Sequence, residues 1–238
     1  TQPTNWKNQT PQERIEYLQT LAIQVADRDV RTNVPNVTHG GTQSSYDHDS
    51  RNDSSTIAIN ANFINHDEPY NAIESMFHES CHAQQKHVIA NPNLAESPEQ
   101  LKNIQDNDVA YIEEKEDPFV YHLQTLEQQA RQSARTDMEQ MFGDQDNTAY
   151  AQHRASRDAH NAEWDADAAD YVNKQPQFQE FSGTAQDKVN QYIAQRADRI
   201  RQQSQTTPET AQDTSHDQSS SPQLDEDQEQ QNSYGRKR

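Results

Sequence analysis

The segment His78-Glu79-Ser80-Cys81-His82 constrains the fold more than any other part of this 238-residue chain. Four positions make about one turn of an α-helix, so the side chains of His78 and His82 project from the same helical face. Apolar side chains repeat at helical spacing on another face and predict a buried stripe, at Ile73, Phe77 and Cys81. The segment is therefore predicted to be an amphipathic helix with histidines on its polar front.

The same segment carries the residue types of a metal site. Two imidazoles on one helical face can bind a single tetrahedral Zn²⁺. Glu79 would then lie beside the metal, where a carboxylate can take a proton from metal-activated water. We expect His78 and His82 to be metal ligands and Glu79 to be the general base. The alternative interpretation is a solvated amphipathic helix with two surface histidines.

A catalytic zinc site needs a third protein ligand. His87 follows on the same helix, but it lies about 140° further around the helix than His82 and should miss the metal. The acidic run 113–117 lies near a predicted helix end and is more simply a solvated turn. Glu127 lies in a later helical pattern, which is predicted to begin at Asp117-Pro118 and to end at Gly143. It stands there beside apolar positions, and a carboxylate next to a buried stripe needs a partner. We therefore predict Glu127 as the third ligand, with a surface glutamate as the alternative.

Helical patterns fill most of the chain, and we predict an α+β, mostly helical fold. The capping box Thr10-Pro11-Gln12-Glu13 starts a helix over about 11–29, and residues 56–60 alternate as a strand. We expect a small domain over residues 1–143, with a short β-sheet beside the histidine-bearing helix. A polar helical extension over 144–203 either packs on this domain or projects from it. Residues 204–238 are predicted to be a disordered Gln/Ser/Asp-rich tail.

Composition limits the partners and the compartment. A net charge of -19 repels phosphate backbones, so we expect no nucleic-acid partner. No run approaches the roughly 20 apolar residues of a membrane span, and no signal peptide is visible. We therefore expect no membrane contact, and the choice between a cytoplasmic and a secreted protein stays open. The single cysteine, Cys81, is predicted to be a small core residue rather than a metal ligand.

Three segments of the chain together resemble the zincin metallopeptidases, in the gluzincin-type branch whose third ligand is a glutamate on a later helix. The predicted strand 56–60 directly precedes the histidine-bearing helix. Residues 73–85 are similar to the "HE..HA.Q" helix of small minimal zincins, and residues 121–130 are similar to the "Y…E..A" segment of their ligand helix. The resemblance covers roughly residues 30–142. Arg131 stands where larger enzymes of this branch often have an aspartate that orients a histidine ligand.

The resemblance implies a small zincin-like domain and a zinc-dependent peptidase. One Zn²⁺ would be bound by His78, His82 and Glu127. Glu79 would act as the general base on metal-activated water, and the substrate would be a peptide or protein. In such a fold the edge of the sheet would bind an extended peptide as an added strand.

A peptidase site also needs an oxyanion stabiliser and an acceptor for the ligand imidazoles, and two other functions fit the same residues. An oxyanion stabiliser is required, for which we assign Tyr121, with Tyr111 and His122 as the alternatives. Glu74, one turn before His78, is a candidate acceptor for a ligand imidazole, although a solvated helix residue is the favoured interpretation. The alternative function is a non-catalytic zincin-like interaction module whose acidic tail docks a partner. A third is a structural zinc site closed by four protein ligands.

Overall fold

The computed structural model describes residues 5–49, 54–143 and 147–206, and it confirms the α+β, mostly helical fold. Eight α-helices and one three-stranded sheet lie in these ranges. The helices are α1 (Pro11–Arg28), α2 (Ala61–Asn65), α3 (Tyr70–Ala90), α4 (Pro98–Val109), α5 (Pro118–Leu123), α6 (Thr125–Phe142), α7 (Thr148–Lys174) and α8 (Ala185–Thr206). None of these helices is both long enough and apolar enough to cross a membrane.

The sheet precedes the histidine-bearing helix α3 in the chain, with the short helix α2 between them. Its strands are β1 (Asn36–His39), β2 (Ser45–Asp49) and β3 (Ser54–Ile59), in the spatial order β1-β3-β2. β1 runs parallel and β2 antiparallel to β3, so β2 is an edge strand of this sheet. The strand predicted over 56–60 is found as β3, whose alternating side chains Ile57 and Ile59 are fully buried.

Capping residues fix where the helices begin. The predicted capping box of α1 is present, since the Thr10 hydroxyl accepts from the Glu13 N–H and the Glu13 carboxylate accepts from the Thr10 N–H. Asp117 caps α5 in the same region where we predicted one long helix running to Gly143. That prediction is wrong at one point, because Gln124 adopts an extended backbone (φ -69°, ψ 148°) and separates α5 from α6.

The main apolar core lies between α1, the sheet, α3 and the C-terminal half of α6. The predicted apolar stripe of α3 faces it, since Ile73 and Phe77 are buried there together with Met76. Fully burying a side chain of this kind stabilises the fold by about 1.5–3 kcal/mol. The core therefore fixes the orientation of α3, and with it the direction in which the histidine-bearing face points.

The helical extension packs on the domain instead of projecting from it. α7 and α8 share a second apolar cluster with α5 and with the residues before α5. α7 is anchored at both ends, by Tyr150 in the main core and by Ala168 and Val172 in the second cluster, and none of its residues 151–167 is buried. The division into domains at residue 143 stays a prediction. Of the predicted disordered tail, residues 204–206 belong to α8 and residues 207–238 lie outside the described part of the chain.

Candidate metal centre

Three side chains singled out from the sequence converge on one point. His78 Nε2 lies 3.1 Å from His82 Nε2, and the Glu127 oxygens Oε2 and Oε1 lie 3.2 and 3.3 Å from these two nitrogens respectively. Their ligand atoms all lie within 4.8 Å of one another. Bonds of about 2.0–2.2 Å around a tetrahedral zinc ion place its ligand atoms about 3.3–3.6 Å apart. The observed separations therefore suit a single small ion.

The break between α5 and α6 aims Glu127 at α3. The Gln124 side chain is fully buried, and its Oε1 accepts from Asn107 Nδ2 (3.0 Å) while its Nε2 donates to the Ile112 carbonyl (2.9 Å). The Leu126 N–H, at the start of α6, donates to Asn107 Oδ1 (2.7 Å). These bonds satisfy polar groups that the interruption between the two helices would otherwise leave unpaired. They also fix the first turn of α6, which carries Glu127.

The carboxylate of Glu127 is almost completely buried, with 1% of the residue exposed. Tyr111 Oη donates to its Oε1 (2.6 Å), whereas Oε2 receives no hydrogen bond, although it lies close to His78. Burial raises the pKa of Glu127, but His78 and His82, which lie within ion-pair distance of its two oxygens, outweigh burial and bring the pKa well below its usual range. A buried carboxylate whose oxygens face two imidazoles, and one of whose oxygens accepts no hydrogen bond, is a group that a bound cation would satisfy.

The imidazole of His82 is held between two partners. Its Nδ1 lies 2.8 Å from Gln85 Oε1, and its Nε2 faces Glu127. Burial lowers the pKa of His82, yet the Glu127 carboxylate and the charge of Glu79 raise it to about 9. The Nε2 site thus attracts positive charge, which a proton or a metal ion can supply.

Glu79 is buried beside this cluster. Burial raises the pKa of Glu79 above its ordinary value, and the opposing effects of the two histidines do not cancel the rise. A hydrogen bond to the backbone of Tyr46 links its carboxylate to the edge strand β2. A carboxyl group with a raised pKa, next to a cation site, is suited to accept and release a proton.

The candidates for the oxyanion stabiliser differ in their contacts. The rings of Tyr111 and Tyr121 meet edge to face, with centroids 6.2 Å apart. Burial, and then the charge of Glu127, raises the pKa of both phenols, so both hydroxyls stay protonated at neutral pH. The Tyr111 hydroxyl donates to Glu127 (2.6 Å), the Tyr121 hydroxyl also interacts with Glu127, and His122 Nε2 lies 2.7 Å from Asp165 Oδ1. Tyr121 remains the assigned residue, as a prediction.

The centre opens into a cleft of about 960 Å³. His78 and Glu79 line this cleft, whereas Glu127 is buried next to His78 and does not. The edge strand β2, the residues before α5 and one face of α7 also line it. The α7 residues of this wall, which sequence reasoning missed, are Arg157, His160, Asn161 and Trp164. Their helical spacing was a weak signal, because alanines are the only apolar residues that accompany Trp164 along the middle of α7.

Three other residues on α3 were assigned from the sequence, namely Glu74, His87 and Cys81, and the prediction is wrong for the first. Glu74 is neither solvated nor a partner of a ligand histidine among the described contacts. It pairs with His153 Nε2 (2.9 Å) and Arg157 Nε (3.1 Å) on α7. His87 is outside the converging group, as predicted. Cys81 is half-buried rather than a fully buried core residue, and it is likewise outside the group.

Comparison of the chain with protein-family models, curated proteins and solved structures found no match. The resemblance to the zincins therefore stays a prediction that rests on the sequence motifs. The function has to be inferred from the geometry of the centre and of the cleft above it.

Proposed function

We propose that the chain is a zinc-dependent peptidase that hydrolyses a peptide bond with Glu79 as the general base. The observation that carries this proposal is the convergence of His78 Nε2, His82 Nε2 and a Glu127 oxygen that accepts no hydrogen bond, beneath a cleft. Two imidazoles and one carboxylate form a donor set that suits Zn²⁺. Three protein ligands with one position left open are typical of a catalytic site, whereas a structural zinc site has four.

A zinc ion bound by these residues would polarise the scissile carbonyl and lower the pKa of a water molecule. Glu79 takes the proton from the attacking water and later passes it to the leaving amine. The burial that raises the pKa of Glu79 favours its protonated form between the two transfers. Tyr121, whose hydroxyl stays protonated, donates a hydrogen bond to the carbonyl oxygen as negative charge develops there.

The shape of the cleft supports a polypeptide substrate. Ser45 and Tyr46 of β2 line the cleft, and β2 is an edge strand of the described sheet. An edge strand presents backbone N–H and C=O groups to which an extended peptide can add as a further strand. The peptide would then run past His78 and Glu79. One side of its backbone would pair with β2, and the other side, with alternate side chains, would face the rest of the cleft.

Metal analysis of the purified protein tests the ligand set. The wild type should contain about one zinc ion per chain, and the variants His78→Ala and Glu127→Ala should lose it. His87→Ala is the matched control, because His87 lies on the same helix outside the converging group. Full zinc content in Glu127→Ala would exclude Glu127 as a ligand.

Hydrolysis is tested with a library of peptides analysed by mass spectrometry. Glu79→Gln should keep its zinc and lose cleavage, whereas Glu163→Gln, an exposed carboxylate of α7 outside the cleft, should leave cleavage unchanged. Undiminished cleavage by Glu79→Gln would end the proposal. The non-catalytic interaction module would be favoured by two results together. The protein would bind zinc without cleaving any peptide, and removal of residues 204–238 would abolish the binding of a partner.

A further inference from the structure

Gln85 connects the helix of the two histidines to the helix of the third ligand. It is buried, with 5% of the residue exposed, and it follows His82 on α3. Its Oε1 lies 2.8 Å from His82 Nδ1, and its Nε2 donates to the carbonyl of Leu126 (3.0 Å) and to Gln129 Oε1 (3.2 Å) on α6. Leu126 directly precedes Glu127 in the chain. Both ends of the amide are therefore engaged, one by a ligand and the other by the turn that carries another ligand.

The backbone carbonyl of Leu126 determines which way round the amide lies. A carbonyl oxygen only accepts hydrogen bonds, so it must face the amide nitrogen of Gln85 and not the amide oxygen. The oxygen of Gln85 is consequently turned to His82, and it too can only accept. Nδ1 of the imidazole must then carry a hydrogen, so a metal ion that replaces the proton on Nε2 meets a lone pair directed towards Glu127 and His78.

We propose that Gln85 is a positioning residue of the metal centre, which fixes the tautomer of His82 and ties its ring to the first turn of α6. This inference rests on the proposed function, because it concerns the binding of the same ion. Histidine ligands usually donate their second ring N–H to a carboxylate, a backbone carbonyl or a water molecule. Here a neutral side-chain amide takes that role.

Arg131 does not supply an acceptor for a ligand imidazole in this chain. Larger enzymes of the resembled branch often have an aspartate there to orient a histidine, and Arg131 could not accept an imidazole N–H. Its guanidinium instead donates to the carbonyl of His122. The acceptor for His82 is supplied from α3 itself, three positions after the histidine that it orients.

The test compares the zinc affinity of the full chain with that of two variants, by competition with a chromogenic chelator. Gln85→Met removes the amide and keeps a similar side-chain volume. It should weaken zinc binding by about 10- to 100-fold, the usual effect of losing such a partner. Gln84→Met is the matched control, since the adjacent Gln84 has no hydrogen bond to the centre and its Oε1 has no partner. Its zinc affinity should equal that of the wild type.

Nitrogen-15 NMR of the zinc-loaded wild type gives a second readout that needs no variant. The His82 ring should carry its proton on Nδ1, protected from exchange, and a proton on Nε2 would overturn the inference even if Gln85→Met failed to fold. Equal affinities of the wild type and Gln85→Met would overturn it while leaving the peptidase proposal intact. A wild type that binds no zinc would overturn both proposals.

Discussion

Replacing Gln124 with leucine should destabilise the chain and disturb the metal centre together. Leucine fills similar space but removes an amide that is completely buried. It leaves three polar groups without their partner: Asn107 Nδ2, the Ile112 N–H and the Ile112 carbonyl. Each buried unsatisfied group costs about 1–3 kcal/mol, and the added apolar burial offsets roughly 1–2 kcal/mol of the sum. We expect the free energy of unfolding to fall by about 1–8 kcal/mol, with a central value of about 4–5 kcal/mol.

Urea denaturation followed by circular dichroism measures this loss as a lower midpoint at an unchanged slope. Gln132→Leu is the control, because Gln132 is an exposed glutamine of the same helix α6, and it should change the stability by less than about 0.5 kcal/mol. Zinc affinity should fall with Gln124→Leu, since Asn107 and Gln124 fix the turn that carries Glu127. A loss of stability below about 1 kcal/mol would refute the reasoning that this amide supports the break between α5 and α6.

Three further predictions concern other parts of the structure. Val30 is 78% exposed at a φ of 56°, a conformation that β-branched residues avoid. Val30→Gly should therefore raise the thermal midpoint, by an amount equivalent to about 1 kcal/mol, and Val30→Ala should raise it less. Removing zinc from the wild type with a chelator should lower the thermal midpoint, because free zinc at about 100 times its Kd stabilises the folded chain by about 2.7 kcal/mol. The chelator should not change the thermal midpoint of His78→Ala. The pKa of Glu74 is lowered in the folded chain because His153 and Arg157 outweigh its burial, so its ion pairs stabilise at neutral pH and this stabilisation is lost as the pH falls below 4.5. Glu74→Gln should thus be less stable than the wild type at pH 7, and urea titrations at decreasing pH should show the difference shrinking; a difference independent of pH would contradict the assignment.

Local patterns predicted the parts of the molecule that depend on neighbouring residues. The capping box of Thr10 and the spacing of the apolar residues of α3 are short-range features, and the corresponding helices are confirmed. Glu127 was selected because a carboxylate beside an apolar stripe needs a partner, and the structure brings it to His78 and His82. The chemical types of these residues, together with helical geometry, were sufficient for this part of the site.

The parts that sequence reasoning missed depend on contacts between distant residues. Nothing near Gln124 signals an interruption, because the groups that support it, Asn107 and Ile112, belong to earlier segments. The role of Gln85 depends on the carbonyl of Leu126, and a carbonyl group is present at every position of every sequence. Glu74 was interpreted as a solvated residue, since its partners lie on α7, which has too few apolar residues to predict where it would pack.

The way in which α7 is held determines which residues of the cleft could vary without loss of the fold. Its anchors, Tyr150 at one end and Ala168 with Val172 at the other, lie outside the stretch that borders the cleft. Substitutions between them, at Asn161 for example, change the surface that lines the cleft and leave the buried anchors in place. Trp164 and Arg157 are different, because Trp164 contacts Phe119, which packs against the second cluster, and Arg157 pairs with Glu74. Under the proposed function, the cleft-lining residues of α7 without such contacts are the place to randomise when a new substrate is sought.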